Sequence, residues 1–169
     1  TWTEFATGVA GTTVDVTSLT NGTGYVFRVS AINEAGTGVA SVVSESVTPY
    51  TTPGAATDVV GVAGGSQVAL SWTAGGDGGS AVTDWVVEYS ADAGVSWTTF
   101  VDGTSTATSA TVTGLANGTG YVFRVKATNA AGIGVASASS ASVTPSTVPA
   151  APGSVVASPG EARVALSWA

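Results

Sequence analysis

The amino-acid sequence predicts an all-β protein, built as a two-sheet antiparallel sandwich that is repeated in tandem. Three observations predict this class: a long internal repeat, apolar residues that alternate along short segments, and turn residues between those segments. No segment has a convincing helical period.

The internal repeat is the strongest of these observations. Residues 21–29, NGTGYVFRV, recur unchanged as residues 117–125, and the two runs are 96 positions apart. Trp2 corresponds to Trp97 at a separation of 95. A unit of this length has the size of a small β-sandwich. Further pairs separated by 96 positions are Asn33 and Asn129, Gly36 and Gly132, Pro49 and Pro145, Pro53 and Pro149, and Trp72 and Trp168.

Short segments within the unit alternate between apolar and polar residues, as half-buried strands do. Turn residues such as Gly, Asp and Asn separate these segments, for example at residues 75–79 and 117–118. Strands with one solvated face and short turns predict an antiparallel core between two sheets. The predicted buried faces are Val68, Leu70 and Trp72; Trp85, Val87 and Tyr89; and Tyr121, Phe123, Val125 and Ala127.

Residues 54–145 resemble a fibronectin type III domain, of the Gly/Ala/Thr-rich kind common in bacterial secreted proteins. The matching motifs are VALSW at 68–72, WVVEY at 85–89, GLANGTGY at 114–121 and NAAG at 129–132. The resemblance implies an immunoglobulin-like sandwich in which strands A, B and E face strands C′, C, F and G. It also implies that Trp72 and Tyr121 lie in the core. The predicted structural core as a whole comprises Trp72, Tyr121, Trp85, Leu70, Phe123, Val125, Tyr25 and Trp168.

One motif of the family is absent from the loop between strands F and G. Integrin-binding members of the family carry Arg-Gly-Asp in this loop. Here residues 129–134 read NAAGIG and residues 33–38 read NEAGTG. The integrin-binding role is therefore not expected.

The motifs divide the chain into three parts. We expect residues 1–49 to supply strands C′, E, F and G of one repeat, residues 54–145 a complete repeat, and residues 150–169 strands A and B of the next. The expected parent is a longer array. The two linkers, TPYTTP at 48–53 and TPSTVP at 144–149, match each other, and their paired prolines favour extended backbone.

Composition excludes most enzyme mechanisms. The sequence has no Cys and no His, so it lacks thiol nucleophiles, disulfides, imidazole zinc ligands and Ser-His-Asp triads. The net charge is −7 with 4 basic residues, which disfavours nucleic-acid binding. Apolar runs stay well short of the roughly 18 residues that cross a membrane. We expect no catalytic residue, cofactor, metal, nucleic-acid partner or membrane insertion in this segment.

Carboxylates are the remaining candidates for acid–base or metal chemistry. Asp77 and Asp92 adjoin glycines in predicted turns, while Asp84 and Glu88 share the predicted solvent face of strand C. A glycosidase pair needs a cleft, and a calcium loop needs several closely spaced oxygen ligands. Neither pattern is present. We predict structural or solubilising roles for the carboxylates of the complete repeat: Asp58, Asp77, Asp84, Glu88, Asp92 and Asp102.

Two further groups of residues have a structural and a functional interpretation. Arg124 is expected to face Glu88 or Asp84 across the sheet beside Lys126, an exposed pairing that contributes at most about 1 kcal/mol. Trp97 begins a predicted edge strand, and an exposed contact role stays open for it. Asn21 and Asn117 match the N-glycosylation pattern, but Asn-Gly also supplies positive φ cheaply, which favours a turn.

The leading functional hypothesis is a non-catalytic extracellular structural protein, whose tandem sandwiches form a rod, spacer or surface fibre and associate with one another. Near-identical repeats suit a mechanical array, and a surface with few charges tolerates close packing against other copies. The expected partners are other copies or neighbouring repeats, with a cell-surface or carbohydrate ligand unidentified. The alternatives are an accessory spacer of a secreted polysaccharide-degrading enzyme and an adhesion module that binds through its loops.

Overall fold

The computed structural model describes residues 1–6 and 8–169. In this part of the chain all regular secondary structure is β, and no helix could cross a membrane. The strands are β1 (Ile32–Asn33), β2 (Gly36–Thr37), β3 (Thr57–Gly64), β4 (Gln67–Thr73), β5 (Asp84–Ser90), β6 (Thr98–Phe100), β7 (Ser109–Thr113), β8 (Val122–Asn129), β9 (Gly132–Ile133), β10 (Val156–Gly160) and β11 (Arg163–Ser167).

Residues 54–145, here called the central sandwich, form two antiparallel sheets. One sheet has the order β3-β4-β7, and the other has the order β6-β5-β8-β9. These orders correspond to strands A-B-E and C′-C-F-G of an immunoglobulin-like sandwich. The predicted all-β fold class is therefore confirmed.

The core lies between β4 on one sheet and β5 with β8 on the other. Burial alternates strictly along β4 and β8, because successive side chains of a strand point to opposite faces. The rings of Trp72 and Trp85 meet edge to face with centroids 5.4 Å apart. Six residues of the predicted core are buried here: Leu70, Trp72, Trp85, Tyr121, Phe123 and Val125.

Two residues of the predicted core lie outside this sandwich, and their burial differs from the expectation. Tyr25 is half-buried, and Trp168 is 65% exposed. Trp168 follows the two-stranded sheet β10-β11, and among residues 1–6 and 8–169 no second sheet packs against the face of this sheet. Tyr89 packs against the core on the predicted face, next to the ring of Tyr121, but it is half-buried and not fully buried.

A tyrosine fixes the turn before β8. The hydroxyl of Tyr121 accepts a hydrogen bond from the backbone N–H of Ala116 at 3.1 Å. The same bond occurs one repeat earlier, where the hydroxyl of Tyr25 accepts from the N–H of Thr20 at 3.0 Å. The shared sequence around residues 25 and 121 therefore produces the same local geometry.

The segment after β9 follows β8 through serine hydroxyls. Ser137 Oγ accepts the N–H of Val125 at 3.0 Å, and Ser140 Oγ accepts the N–H of Phe123 at 3.0 Å. Each serine also donates its own N–H to the carbonyl of the same partner residue. The hydroxyls thus take the place of backbone acceptors in an irregular strand G.

Residues 1–49, here called the N-terminal segment, contain the β1-β2 hairpin and a bridge between Tyr25 and Val47. Ser41 and Ser44 bond to the strand-F backbone as their copies in the central sandwich do. No strand is assigned in the described residues before Ile32, where strands C′ and E were expected. The physical reason is that strands C′ and E pair with strands C and B, and this segment contains no counterpart of either.

Residues 150–169, here called the C-terminal hairpin, pair β10 with β11. Val156 opposes Ser167, just as Val60 opposes Ser71 in the central sandwich. Val156 and Ser167 lie one repeat length after Val60 and Ser71, respectively. The register of strands A and B is thus the same in the hairpin as in β3 and β4.

Candidate functional site

The outer face of the β5-β8 pair carries three charged side chains. Arg124 lies directly opposite Glu88 in the ladder, and its Nε is 2.5 Å from Glu88 Oε2. Lys126 Nζ binds the other carboxylate oxygen at 2.8 Å. The predicted pairing of Arg124 with Glu88 is confirmed, and Lys126 completes a three-membered cluster.

Glu88 lies on the outer face, as predicted, but it is buried there. Its exposed fraction is 8%, because Arg124 and Lys126 lie on either side of it and cover it. Burial raises the pKa of the Glu88 carboxyl, but the hydrogen bonds from Lys126 and then Arg124 outweigh burial, so the pKa lies below its ordinary value. The carboxylate is a stabilised anion, which is unsuited to act as a general acid.

Trp97 packs beneath the same arginine. The Arg124 guanidinium carbon lies 4.1 Å from the centre of the Trp97 ring, and the indole Nε1 donates to the Gly94 carbonyl at 3.0 Å. Trp97 is half-buried. One ring face is therefore covered by Arg124, which disfavours the exposed contact role that the sequence left open for this residue.

Asp92 organises the turn between β5 and β6. Its carboxylate accepts hydrogen bonds from the hydroxyls of Ser90 and Ser96, both at 2.6 Å, and from the Ser96 N–H. The Ser90 hydroxyl bond, followed by those from Ser96, holds the pKa of Asp92 far below its ordinary value. The predicted turn role is confirmed by this geometry.

The other candidate carboxylates lie apart from one another, in strands and in loops. Asp77 Oδ1 accepts the N–H of Gly79 at 2.8 Å, and Asp84 Oδ1 accepts the N–H of Ser105 at 2.9 Å. Asp58 and Asp102 are exposed. Within residues 1–6 and 8–169, acidic side chains do not gather in threes as a metal site would require.

The two Asn-Gly sequences form turns before strand F. Asn117 Oδ1 accepts the N–H of Ser66 at 2.8 Å, which joins this turn to the β3-β4 turn. Gly22 and Gly118 both have φ near +80°. Their N–H groups donate to the carbonyls of Pro49 and Pro145 respectively, each at 2.9 Å. This geometry is the turn chemistry predicted for Asn21 and Asn117.

The first linker is bound to the central sandwich. The Thr51 N–H donates to the Gly78 carbonyl at 2.9 Å, and the Thr51 carbonyl accepts from Asn129 Nδ2 at 2.8 Å. Asn129 is 5% exposed and also donates to the Asp77 carbonyl at 2.7 Å. One side chain therefore joins the linker, the β4-β5 loop and the end of β8.

Sequence reasoning identified Asn129 only as part of a turn motif and missed the roles of Ser137 and Ser140. A signal for the serines exists: Ser41 and Ser44 are spaced alike and lie one repeat earlier. Asn129 also recurs one repeat earlier, as Asn33, but this recurrence does not reveal what its side chain bonds to. Its partners, Thr51 and Asp77, are far away in sequence and are brought together only by the fold.

Residues 54–144 match the family model for the fibronectin type III domain. The chain belongs to the fibronectin type III family. The shared sandwich topology and the core positions described above agree with this assignment.

Three known proteins that resemble the chain are much longer than the part they share with it. Chitinase A1 of Niallia circulans is 37% identical over 139 residues, covering 76% of this chain and 18% of the chitinase. Domains A168–A170 of titin superpose with a TM-score of 0.53 at 29% identity, covering 60% of this chain and 36% of that one. The twitchin kinase region of C. elegans gives 0.51 at 31% identity, covering 56% of this chain and 17% of that one.

Proposed function

We propose that the chain is a non-catalytic spacer from a secreted protein, in which successive sandwiches hold neighbouring parts at a set separation. In this proposal residues 1–49, 54–145 and 150–169 are the end of one repeat, a complete repeat and the start of the next. The observation that carries the proposal is the bound linker: the N–H of Thr51 donates to Gly78, and the carbonyl of Thr51 accepts from Asn129. A linker held at both its N–H and its carbonyl transmits position better than a free coil.

The polar groups of the central sandwich support the same conclusion. Glu88 is neutralised by two cations, and Asp92, Asp77 and Asp84 accept hydrogen bonds within the fold. Groups used in this way stabilise turns and strands. Because these carboxylates serve the fold itself, the described side chains favour a spacer role.

Similarity to Chitinase A1 favours one setting for the spacer, an accessory position in a secreted polysaccharide-degrading enzyme. The similarity extends over 139 residues, which is more than the central sandwich contains, at 37% identity. In that setting the spacer would separate a catalytic domain from another domain. A free-standing rod or fibre is the second setting, in which the partners are other copies of the same repeat.

Replacement of residues 54–145 in the parent protein tests the spacer role. One variant carries an unrelated sandwich of equal length at this place, and the other carries a Gly/Ser linker of equal residue number. For a polysaccharide-degrading parent, the readout is sugar release from insoluble and soluble substrate. The spacer role predicts that the sandwich replacement retains activity on the insoluble substrate and that the flexible linker reduces it. Loss of activity with both replacements would instead indicate a specific binding surface.

A further inference from the structure

The β4-β5 loop, residues 74–83, meets the N-terminal segment without side chains in between. A Cβ placed on Gly79 would lie 2.8 Å from Gly22 Cα, and one placed on Gly22 would lie 3.3 Å from Gly79 Cα. Two backbones therefore approach each other at the distance that only glycine permits. A Cβ placed on Gly78 would likewise clash with the carbonyl oxygen of Thr51.

Asn129 closes the other side of this contact. Its amide nitrogen donates to the Thr51 carbonyl on the linker and to the Asp77 and Ser80 carbonyls on the loop. Its amide oxygen accepts the N–H of Ala131 at 2.8 Å. A buried side chain that satisfies groups from three segments fixes their relative positions.

The same residue type one repeat earlier lacks these contacts. Asn33 is exposed, and its amide oxygen accepts the N–H of Ala35 at 2.9 Å, as Asn129 does with Ala131. The local turn therefore needs only the amide oxygen. The amide nitrogen of Asn129 is what reaches the linker and the loop.

We propose that this junction is the recognition surface between successive copies of the repeat. On the central sandwich the surface consists of Gly78, Gly79 and Asn129. It binds the Asn-Gly turn and the linker threonine of the preceding copy, here Gly22 and Thr51. The inference rests on the proposed spacer function and adds a fixed orientation to it. The central sandwich carries the same binding elements for the following copy, namely Asn117-Gly118 and Thr147. Gly118 bonds to Pro145 as Gly22 bonds to Pro49.

Distances between two spin labels on the full chain test the junction. The sequence has no Cys, so labels attach only at Val39→Cys and Val101→Cys, two strongly exposed positions, the first in the N-terminal segment and the second in the central sandwich. The proposal predicts one narrow distance distribution for the otherwise unchanged chain. A distribution already broad in that chain would overturn the proposal.

Two variants with matched controls identify the residues responsible. Gly79→Ala should widen the distribution roughly twofold, as expected for units released into relative motion. Gly103→Ala should leave it unchanged, since Gly103 has φ +80°, close to the +90° of Gly79, but has open space at its Cβ. Asn129→Asp should also widen it because the amide donor is lost, whereas Asn33→Asp should have no effect. Equal effects within either pair would contradict the proposal.

Thermal unfolding of each labelled variant is the control that tests whether the central sandwich remains folded. Should Asn129→Asp unfold it, the Gly79→Ala pair still decides the outcome. Failure of the junction is distinguishable from failure of the spacer function. A broad distance distribution together with retained activity in the sandwich replacement would refute the junction alone.

Discussion

The guanidinium of Arg124 stacks on the ring of Trp97 at 4.1 Å, and Arg28 stacks on Trp2 at 4.2 Å one repeat earlier. The two pairs are separated by almost the same length of sequence, although Glu88 has no counterpart in the N-terminal segment. The stack therefore forms with or without a carboxylate partner. It is a local feature of the strand-F arginine and the aromatic residue that precedes the edge strand.

Replacing Arg124 by Lys should remove the stack while retaining a positive charge near Glu88. We expect a loss of about 0.5–1 kcal/mol in the free energy of unfolding, the usual size of a cation–π contact. A double-mutant cycle with Trp97→Leu, measured by urea denaturation, isolates the coupling between the two side chains. Strictly additive effects would show that the stack contributes nothing.

Acid should destabilise the central sandwich through Glu88. The pKa of Glu88 is lowered in the folded chain, so its contribution is present above the ordinary value of 4.5 and is lost as the pH falls through the folded pKa. The urea concentration at the unfolding midpoint, measured from neutral pH down to about pH 3, should therefore decrease once the pH falls below the ordinary pKa range of a carboxyl group.

Glu88→Gln should flatten this pH dependence. The flattening should be partial, because Asp92 also has a lowered pKa and loses its contribution in the same direction. The double variant Glu88→Gln with Asp92→Asn should be flatter again. An unchanged slope in all three chains would contradict the assignment.

The serine hydroxyls that accept hydrogen bonds in strand G should contribute measurably to the stability of the central sandwich. Ser137→Ala leaves the Val125 N–H without its hydroxyl acceptor, and Ser140→Ala does the same to Phe123. Each should cost about 1–2 kcal/mol of stability in chemical denaturation. Ser139→Ala is the control, since Ser139 is exposed and lies between them. A cost at Ser139 equal to that at Ser137 would refute the acceptor role.

The two copies of the strand-B tryptophan should differ sharply. Trp72→Ala should cost about 3–5 kcal/mol, because it opens a cavity beside Trp85. Trp168→Ala should change stability by less than about 0.5 kcal/mol, because this side chain is mostly exposed. Denaturation followed by far-UV circular dichroism measures both. A similar cost for the two substitutions would place both residues in equivalent environments.

The sequence predicted those features that depend on local periodicity. Alternation along residues 67–72 and 121–128 predicts which faces of β4 and β8 are buried, and the structure agrees. The burial of Glu88 was not predictable in this way, because the alternation places it outward and the long side chains of its neighbours then cover it. The pattern within one strand does not reveal which side chains of the adjacent strand cover it.

The junction was beyond prediction for a different reason. Asn129, Thr51 and Gly79 are distant in sequence, and each is an ordinary turn or linker residue by itself. Their contact depends on how two loops and a linker are brought together at one end of the sandwich. The exposure of Trp168 likewise depends on which sheets are present to cover it.

Residual dipolar couplings of backbone amides, measured on the full chain in an aligned solution, test the central claim most directly. Our account predicts that amides of residues 20–49 and of residues 54–145 fit a single alignment tensor, because the linker at Thr51 joins them into one body. Two tensors of clearly different magnitude would mean that the parts move independently, and the spacer with a fixed junction would be contradicted.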